Sequence, residues 1–266
     1  MPEGQVSHRN ATRLSAALAG RELVRVEIGH PAVATQDIPS RLAGDRIEIV
    51  EARGKHHLVR FASGRVLHSH LGMVGRWRLL DAERRLARGG LWLAFVTERH
   101  VAAQYRGPRL RLYEPGRPIP GLAGLGPDLL APDVDPGSAT AVRLAAADPD
   151  RPVVDAIADQ RVVAGIGNAY RSETLFLCGV DPFRPVGTLS DAEARAIGAT
   201  AAALLADGAA SGGPITTYRS PNPRSRERTW VYGRAGRPCR RCGTPVASDR
   251  TGDGNRSVFW CPACQP

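Results

Sequence analysis

The sequence predicts a multidomain α+β protein: an N-terminal helix with an antiparallel β-sandwich, then a helical domain, then a C-terminal β-hairpin. Three observations carry this expectation. Apolar and polar residues alternate with a period of two through several short runs in the first hundred residues. The composition turns Pro-, Gly- and Asp-rich at 125–138 (LGPDLLAPDVDPGS), and helical signals follow it. Four of the five cysteines form two tight pairs near the C-terminus.

The elements follow in order. VSHRNATRLSAALAG places Val6, Leu14, Ala17 and Leu18 largely on one helical face, and Gly20 is positioned to end the helix. LVRVEI alternates Val24, Val26 and Ile28 against Arg25 and Glu27, and RIEIV does the same with Ile47 and Ile49. HHLVRF, RVLHSHL and LWLAFV continue the strand pattern, with residues 62–64 as a hairpin turn. DAIADQRVVAGIGNAYRSETLFLCGVDP reads as two short helices around a glycine-bearing turn. Ser190 with Glu193 three residues on is a capping box opening a longer helix. Ser211 to Arg228 is polar and arginine-rich, the composition of a loop. The expected division is a sandwich domain over 1–124, a linker over 125–138, a helical domain with the arginine-rich loop over 139–228, and a cysteine-bearing hairpin over 229–266.

At 266 residues the chain can bury two cores, and 42% apolar with 23% charged residues is a globular composition. The formal charge of +10 and a pI near 10.2 favour polyanionic partners, nucleic acid first and anionic membrane surface second. No run of about 18 apolar residues is present to span a bilayer. MPEGQVSHRN has no basic region followed by an apolar one, so the expected compartment is the cytoplasm.

Cys239-x2-Cys242, 18 intervening residues, then Cys261-x2-Cys264 is the spacing of two knuckles around one zinc ion. Four thiolates leave no open position, which points to one structural Zn rather than a catalytic one. TPVAS and RSVFW read as the strands of a hairpin with DRTGDGN at its tip. Arg256 leads the returning strand, where an ordinary surface charge is one reading. Cys178, in LFLC, reads as a buried small hydrophobe. Gly165, Gly167 and Asn168 stand where a helix starts, so backbone N–H groups there can hold a phosphate. A simple helix–helix turn has the same pattern.

MPEG at 1–4, RGK at 53–55, HLGMVGRW at 70–77, LGPD at 125–128, DQRVVAGIGNAYRSE at 159–173 and NRSVFWCPAC at 255–264 occur in one order. Together they resemble the formamidopyrimidine-DNA glycosylase/endonuclease VIII family of base-excision repair enzymes, nearly end to end. The resemblance implies a β-sandwich, a helix–two-turn–helix domain and a zinc ribbon. It implies a monomer acting in the bacterial cytoplasm, on the nucleoid, upon double-stranded DNA containing damaged bases or abasic sites.

The resemblance also assigns roles. Pro2, freed of Met1, is the amine nucleophile that forms an iminium with the sugar C1′. Glu3 is the acid/base that assists base departure and sugar opening. Gly167 and Asn168 form the phosphate-contacting turn, and Arg256 grips phosphates beside the lesion and takes part in the second elimination. Met73 matches a wedge that fills the gap left by the flipped base; read alone, it serves equally as a buried gap-filler. Glu173 matches a carboxylate near the active site and is placed with the DNA-contacting group, with helix stabilisation as the alternative.

Lys55 is the only lysine among 36 cationic side chains. Arginine stays charged at any workable pH, whereas an amine can give and take a proton. The matching lysine of the family is linked to phosphate contact and proton transfer.

Two departures bear on lesion choice. ERHVAAQYRGPRLRLY lacks the Arg-Arg-Phe-Gly wedge of the oxidised-purine branch, and Val6 stands where relatives often carry glutamate. RGK, YRSE and FWCPACQ look closer to the endonuclease VIII branch, which favours oxidised pyrimidines. The expected activity is therefore a bifunctional glycosylase and abasic-site lyase ending in β,δ-elimination. The alternatives are an oxidised-purine glycosylase of the same fold and a non-catalytic zinc-ribbon protein that binds damaged DNA.

Overall fold

A computed structural model describes residues 2–211, 217–222, 227–252 and 254–266. The chain forms two compact units, Met1–Ala123 and Gly124–Pro266.

The first unit opens with helix α1 (Gly4–Leu18), whose apolar stripe buries Ala11, Leu14 and Leu18. Strand β1 (Arg25–Ile28) and the short helices α2 (Pro31–Ala34) and α3 (Ile38–Arg41) follow. Then come β2 (Ile47–Arg53), β3 (His56–Phe61), β4 (Val66–His70), β5 (Arg76–Asp81), β6 (Leu91–Val96), β7 (His100–Tyr105) and β8 (Arg109–Tyr113). They make two antiparallel four-stranded sheets, ordered β1-β6-β7-β5 and β2-β3-β4-β8. Phe61 of one sheet meets Phe95 of the other edge-on at 5.6 Å, and Leu67, Leu93 and Ala102 fill the space around them. The sandwich expected for this half is present, with β5, β7 and β8 additional to the strands read from the sequence.

Strand β8 lies at a sheet edge, and a side chain occupies that edge. Gln36 donates through Nε2 to the Leu110 carbonyl at 2.9 Å and accepts at Oε1 from the Leu112 N–H at 3.0 Å.

The second unit contains α4 (Pro136–Ala145), α5 (Val153–Ala156), α6 (Asn168–Cys178), α7 (Asp191–Ser211) and the hairpin β9 (Ala247–Thr251) with β10 (Arg256–Trp260). Asp135 caps α4, accepting from the Ser138 N–H, and Pro136 occupies its first position. The capping box of α7 is formed reciprocally: Ser190 N–H donates to Glu193 at 2.8 Å, and Glu193 N–H donates to Ser190 Oγ at 3.2 Å. Arg184 also engages Glu193, and this bond, first among the causes, holds the Glu193 carboxyl down at about 2.

Two boundaries differ from the expectation. The segment 125–138 is not a loose linker. Gly126 N–H donates to Gln160 O, Ala164 N–H donates to Pro127 O, Leu129 is buried, and α4 begins within the segment. The cysteine hairpin is not a separate domain either: Val258 belongs to the helical core with Val154, Tyr170 and Leu205. Strand β9 starts later than expected, so the hairpin tip shortens to 252–255, of which Asp253 lies outside the described residues. Within the arginine-rich stretch 211–228, residues 212–216 and 223–226 also lie outside them.

Candidate active site, nucleic-acid-binding turn and metal centre

In the first unit, Glu3 is the extended residue that precedes α1, and its carbonyl accepts from the Val6 and Ser7 N–H groups at 3.1 and 3.4 Å. Its side chain is buried, makes no capping bond to its own helix, and stands at the positive end of the helix dipole. Two contacts fix how α1 runs along the sheet. Ser15 Oγ accepts from Val50 N–H at 3.2 Å, and Asn10 Nδ2 lies 3.5 Å from Nε2 of His57, the cross-strand partner of Ala52. Five helical residues span about 7.5 Å and two strand residues about 6.6 Å, so helix and strand keep step. From Ser15 to Asn10 the helix thus runs along β2 in the direction of the β2–β3 turn. Val6 packs at the margin of the first core, a place for an apolar side chain.

That turn is Gly54–Lys55. It is a two-residue hairpin closed by the pair Arg53 and His56, with glycine first at φ 57°. Lys55 thus sits at the apex of a hairpin, on a rigid sheet.

Behind Lys55 lies a group of histidines that the motif reading did not single out. The register pairs His56 with His70 and His57 with Ser69. His56, His68 and His70 share the outer face of the sheet, and His57 faces inward toward α1. His56 Nδ1 and His68 Nε2 are 2.7 Å apart, and the His56 and His70 rings are 4.8 Å apart. His70 Nδ1 accepts from the Gly72 N–H at 3.2 Å, which fixes its proton on Nε2. The backbone at Gly121 crosses directly over the pair. A Cβ there would stand 2.9 Å from Arg109 Nη1 and 3.2 Å from the His68 ring, so a larger residue would have to displace the Arg109 side chain.

Burial, reinforced by the neighbouring imidazoles, pushes His56 and His57 down to about 3, and burial with Arg109 beside it takes His68 to about 4. His70 is lowered by burial and then by Lys55 and Arg109. The imidazoles of His56, His57 and His68 are therefore neutral at physiological pH.

Met73 occupies the turn between β4 and β5, closed by Gly75 N–H donating to Leu71 O at 2.9 Å. It is 72% exposed and its neighbour Val74 60% exposed. The gap-filler alternative fails, because a solvent-facing methionine at a turn apex fills no core.

In the second unit, Gly167 caps α6 in extended conformation and Asn168 is its first residue. The Asn168 amide is buried, and its Oδ1 has no partner among the described residues. Gln160 shapes the glycine turn: its Oε1 accepts from Gly165 N–H, and its Nε2 donates to Ala158 O and Ile166 O. Beside it, Arg161 holds the Asp159 carboxyl far below the usual range.

Glu173 requires a correction. It is fully buried on α6, and its carboxylate accepts from the backbone N–H groups of Trp230, Val231 and Tyr232 at 2.7–2.8 Å and from the Thr217 hydroxyl. With its acceptor capacity filled inside the protein, it anchors a returning loop and has nothing left to offer DNA. Tyr218 is held there too, edge-on to Trp230 and beneath the Arg240 guanidinium at 4.1 Å.

Arg256 is the first residue of β10 and is exposed. Beyond the far end of the hairpin, the sulfurs of Cys239, Cys242, Cys261 and Cys264 all lie within 4.8 Å of one another. Sγ separations of 3.4, 3.5 and 3.9 Å bracket the ~3.8 Å edge of a tetrahedron with metal–sulfur bonds of ~2.3 Å. They are far from the ~2.05 Å of a disulfide. The donor set fits a metal held by four thiolates. Cys178 is apart from it, donating to Thr200 Oγ1, and burial raises its thiol pKa.

Comparison with known proteins gives concordant results. Residues 1–112 match the model of the formamidopyrimidine-DNA glycosylase N-terminal domain, and residues 125–220 match that of the formamidopyrimidine-DNA glycosylase H2TH domain. The chain is 40% identical over 265 residues to the DNA-(apurinic or apyrimidinic site) lyase Nei2 of Mycolicibacterium smegmatis, covering 100% of this chain and 99% of the relative. It is likewise 40% identical to a probable endonuclease 8 2 of Streptomyces coelicolor, covering 100% and 94%. A formamidopyrimidine-DNA glycosylase of Moorella thermoacetica is 35% identical over 92% of each chain. Among solved structures, the Lactococcus lactis Fpg complex with abasic-site DNA superimposes with a TM-score of 0.83 at 20% identity, over 99% of each chain.

Proposed function

Because this chain belongs to the formamidopyrimidine-DNA glycosylase/endonuclease VIII family, on its endonuclease VIII branch, we propose that it is a bifunctional DNA glycosylase and abasic-site lyase of base-excision repair. Its substrate is double-stranded DNA carrying damaged bases or abasic sites. The observation that supports the reading is the packing of α1 on the β2–β3 hairpin, in which Ser15 meets Val50 and Asn10 meets His57, toward the turn that carries the sole lysine of the chain.

In this reading the Pro2 nitrogen, with Met1 removed, attacks C1′ of the damaged nucleotide as the base departs, and Glu3 handles the proton that opens the sugar. The resulting iminium acidifies the C2′ protons, and their removal expels the 3′ phosphate; a second elimination expels the 5′ phosphate. Lys55 supplies an amine that can exchange a proton beside the reacting sugar. It stands among imidazoles that stay neutral near physiological pH. Met73 enters the stack when the base leaves it, and Gly167, Asn168 and Arg256 hold the flanking phosphates. Zinc on the four cysteines would supply fold alone, fixing the hairpin that carries Arg256.

The branch supports oxidised pyrimidines as preferred bases, and the charge of +10 supports residence on the bacterial chromosome. Among the described residues no helix is long and apolar enough to cross a membrane. Borohydride reduction in the presence of an abasic or 5-hydroxyuracil duplex tests the mechanism. We expect a covalent adduct that Pro2→Ala abolishes. Tight lesion binding by the processed protein with no adduct would refute it in favour of a binding module. A rate on 8-oxoguanine well above that on oxidised pyrimidines would overturn the base preference.

A further inference from the structure

The hairpin that carries Arg256 is gripped at its closing pair by a single carboxylate. Arg256 opens β10 and stands opposite Thr251, the last residue of β9. Thr251 Oγ1 donates to Asp155 Oδ2 at 2.5 Å. The other oxygen, Asp155 Oδ1, receives Nη1 of Arg171 at 3.1 Å. Nη2 of Arg171 in turn donates to the backbone carbonyls of Arg256 at 3.0 Å and Ser257 at 3.3 Å. Asp155 therefore reaches β9 directly and β10 through one guanidinium, at the level where the Arg256 side chain leaves the strand.

The neighbouring residues are shaped around this carboxylate. Gly252 follows Thr251 at φ 70°, and a Cβ there would stand 2.9 Å from Asp155 Oδ1. Arg171 is almost wholly buried, so its charge depends on the partner and the two carbonyls. Farther along β10, Phe259 N–H donates to Ser172 Oγ, but Ser172 does not touch the closing pair. The cysteines lie beyond the opposite end of the strands, with Cys261 following Trp260. A two-stranded hairpin is marginal by itself. A metal beyond its far end leaves the near end to be fixed by something else.

We propose that Asp155 and Thr251 form a latch that positions Arg256 for its phosphate, setting where an exposed guanidinium meets DNA. Both are positioning residues, and neither touches substrate. The proposal rests on the reading of Arg256 as a phosphate contact. It adds what holds that contact in place, independently of zinc.

A double-mutant cycle on the full-length, zinc-loaded protein tests it. The probe is a duplex with a tetrahydrofuran abasic analogue, and the readout is the dissociation constant. Thr251→Val removes one hydroxyl at constant shape. It should weaken binding about fivefold, the scale of one lost hydrogen bond. Thr251→Ser should restore binding, and zinc should remain at one per chain in all variants. In an Arg256→Ala background the Thr251→Val loss should shrink to within about twofold, because the latch acts through the missing side chain. Asp155→Asn should follow the same pattern with a larger first loss; if it fails to fold, Thr251→Val decides alone. A harmful Arg256→Ala with Thr251→Val either silent or fully additive to it overturns the latch and leaves the phosphate role standing. A silent Arg256→Ala overturns the phosphate role, and the latch with it.

Discussion

His57 should make the first unit sensitive to mild acid, by an amount its surroundings set. The ring lies on the inward face of β3 against Asn10, fully buried, with His70, His8 and His68 as the charged or chargeable groups around it. Burial first, then those neighbours, lowers it from 6.5 to about 3. The folded protein thus refuses a proton that the unfolded chain accepts below pH 6.5. Stability from this group is complete above 6.5 and is lost as pH falls toward 3, at about 1.4 kcal/mol per pH unit. Between pH 7.5 and 5 the loss is about 2 kcal/mol from His57 alone. His57→Gln keeps polar hydrogen-bonding atoms but cannot ionise. Native-state hydrogen exchange of the β3 and β4 amides, parent against variant at each pH, isolates the term because intrinsic exchange cancels. The parent should lose about 2 kcal/mol more protection than the variant over that interval. Parallel pH profiles would refute the reasoning, and so would a steeper one for the variant.

Other outcomes follow from the same geometry. Lys55→Arg preserves charge at the hairpin apex yet should slow base removal by about a hundredfold in single turnover, the scale of a lost proton-transfer group; an unchanged rate would reduce Lys55 to a phosphate contact. Glu173→Gln sets an NH2 group against donors that now meet a carboxylate, and should destabilise the second unit by about 3–5 kcal/mol in urea unfolding, far beyond the few tenths of an ordinary surface change. Met73→Ala should leave unfolding within about 0.5 kcal/mol of the parent, since the side chain is exposed, while weakening lesion binding in a fluorescence titration. Chelation of the metal should release one zinc per chain and lower exchange protection most at the cysteine end of the hairpin, around Trp260; unchanged protection there would show that this end stands without the metal.

The parts of the fold legible in the sequence were those written in local patterns. The α1 stripe, the 62–64 turn, the Ser190–Glu193 box and the paired cysteines each declare themselves within a few residues. Strand β7 does not. HVAAQY lies between β6 and β5, is mostly buried, and shows small residues where alternation would announce a strand. RLRLY of β8 does alternate, with Leu110 and Leu112 inward and Arg109 and Arg111 outward, but over only five residues between a Gly-Pro and a Glu-Pro. The site divides similarly. Of the proposed site residues, Pro2, Glu3, Lys55, Asn168 and Arg256 each stand in a short motif. The histidine group needed the register between β3 and β4, which brings together residues more than ten apart in sequence. The true employment of Glu173 needed a loop returning from 57 residues away to lay three N–H groups on it.

Gln36 gives the sandwich a quieter property. An open strand edge is an invitation to another chain, and a protein gathered at high local concentration on a polyanion meets copies of itself often. By satisfying Leu110 and Leu112 with one amide, Gln36 supplies the hydrogen bonds of an added strand without offering a further edge. A second copy approaching the β8 edge would find the Leu110 and Leu112 backbone groups already engaged by one side chain.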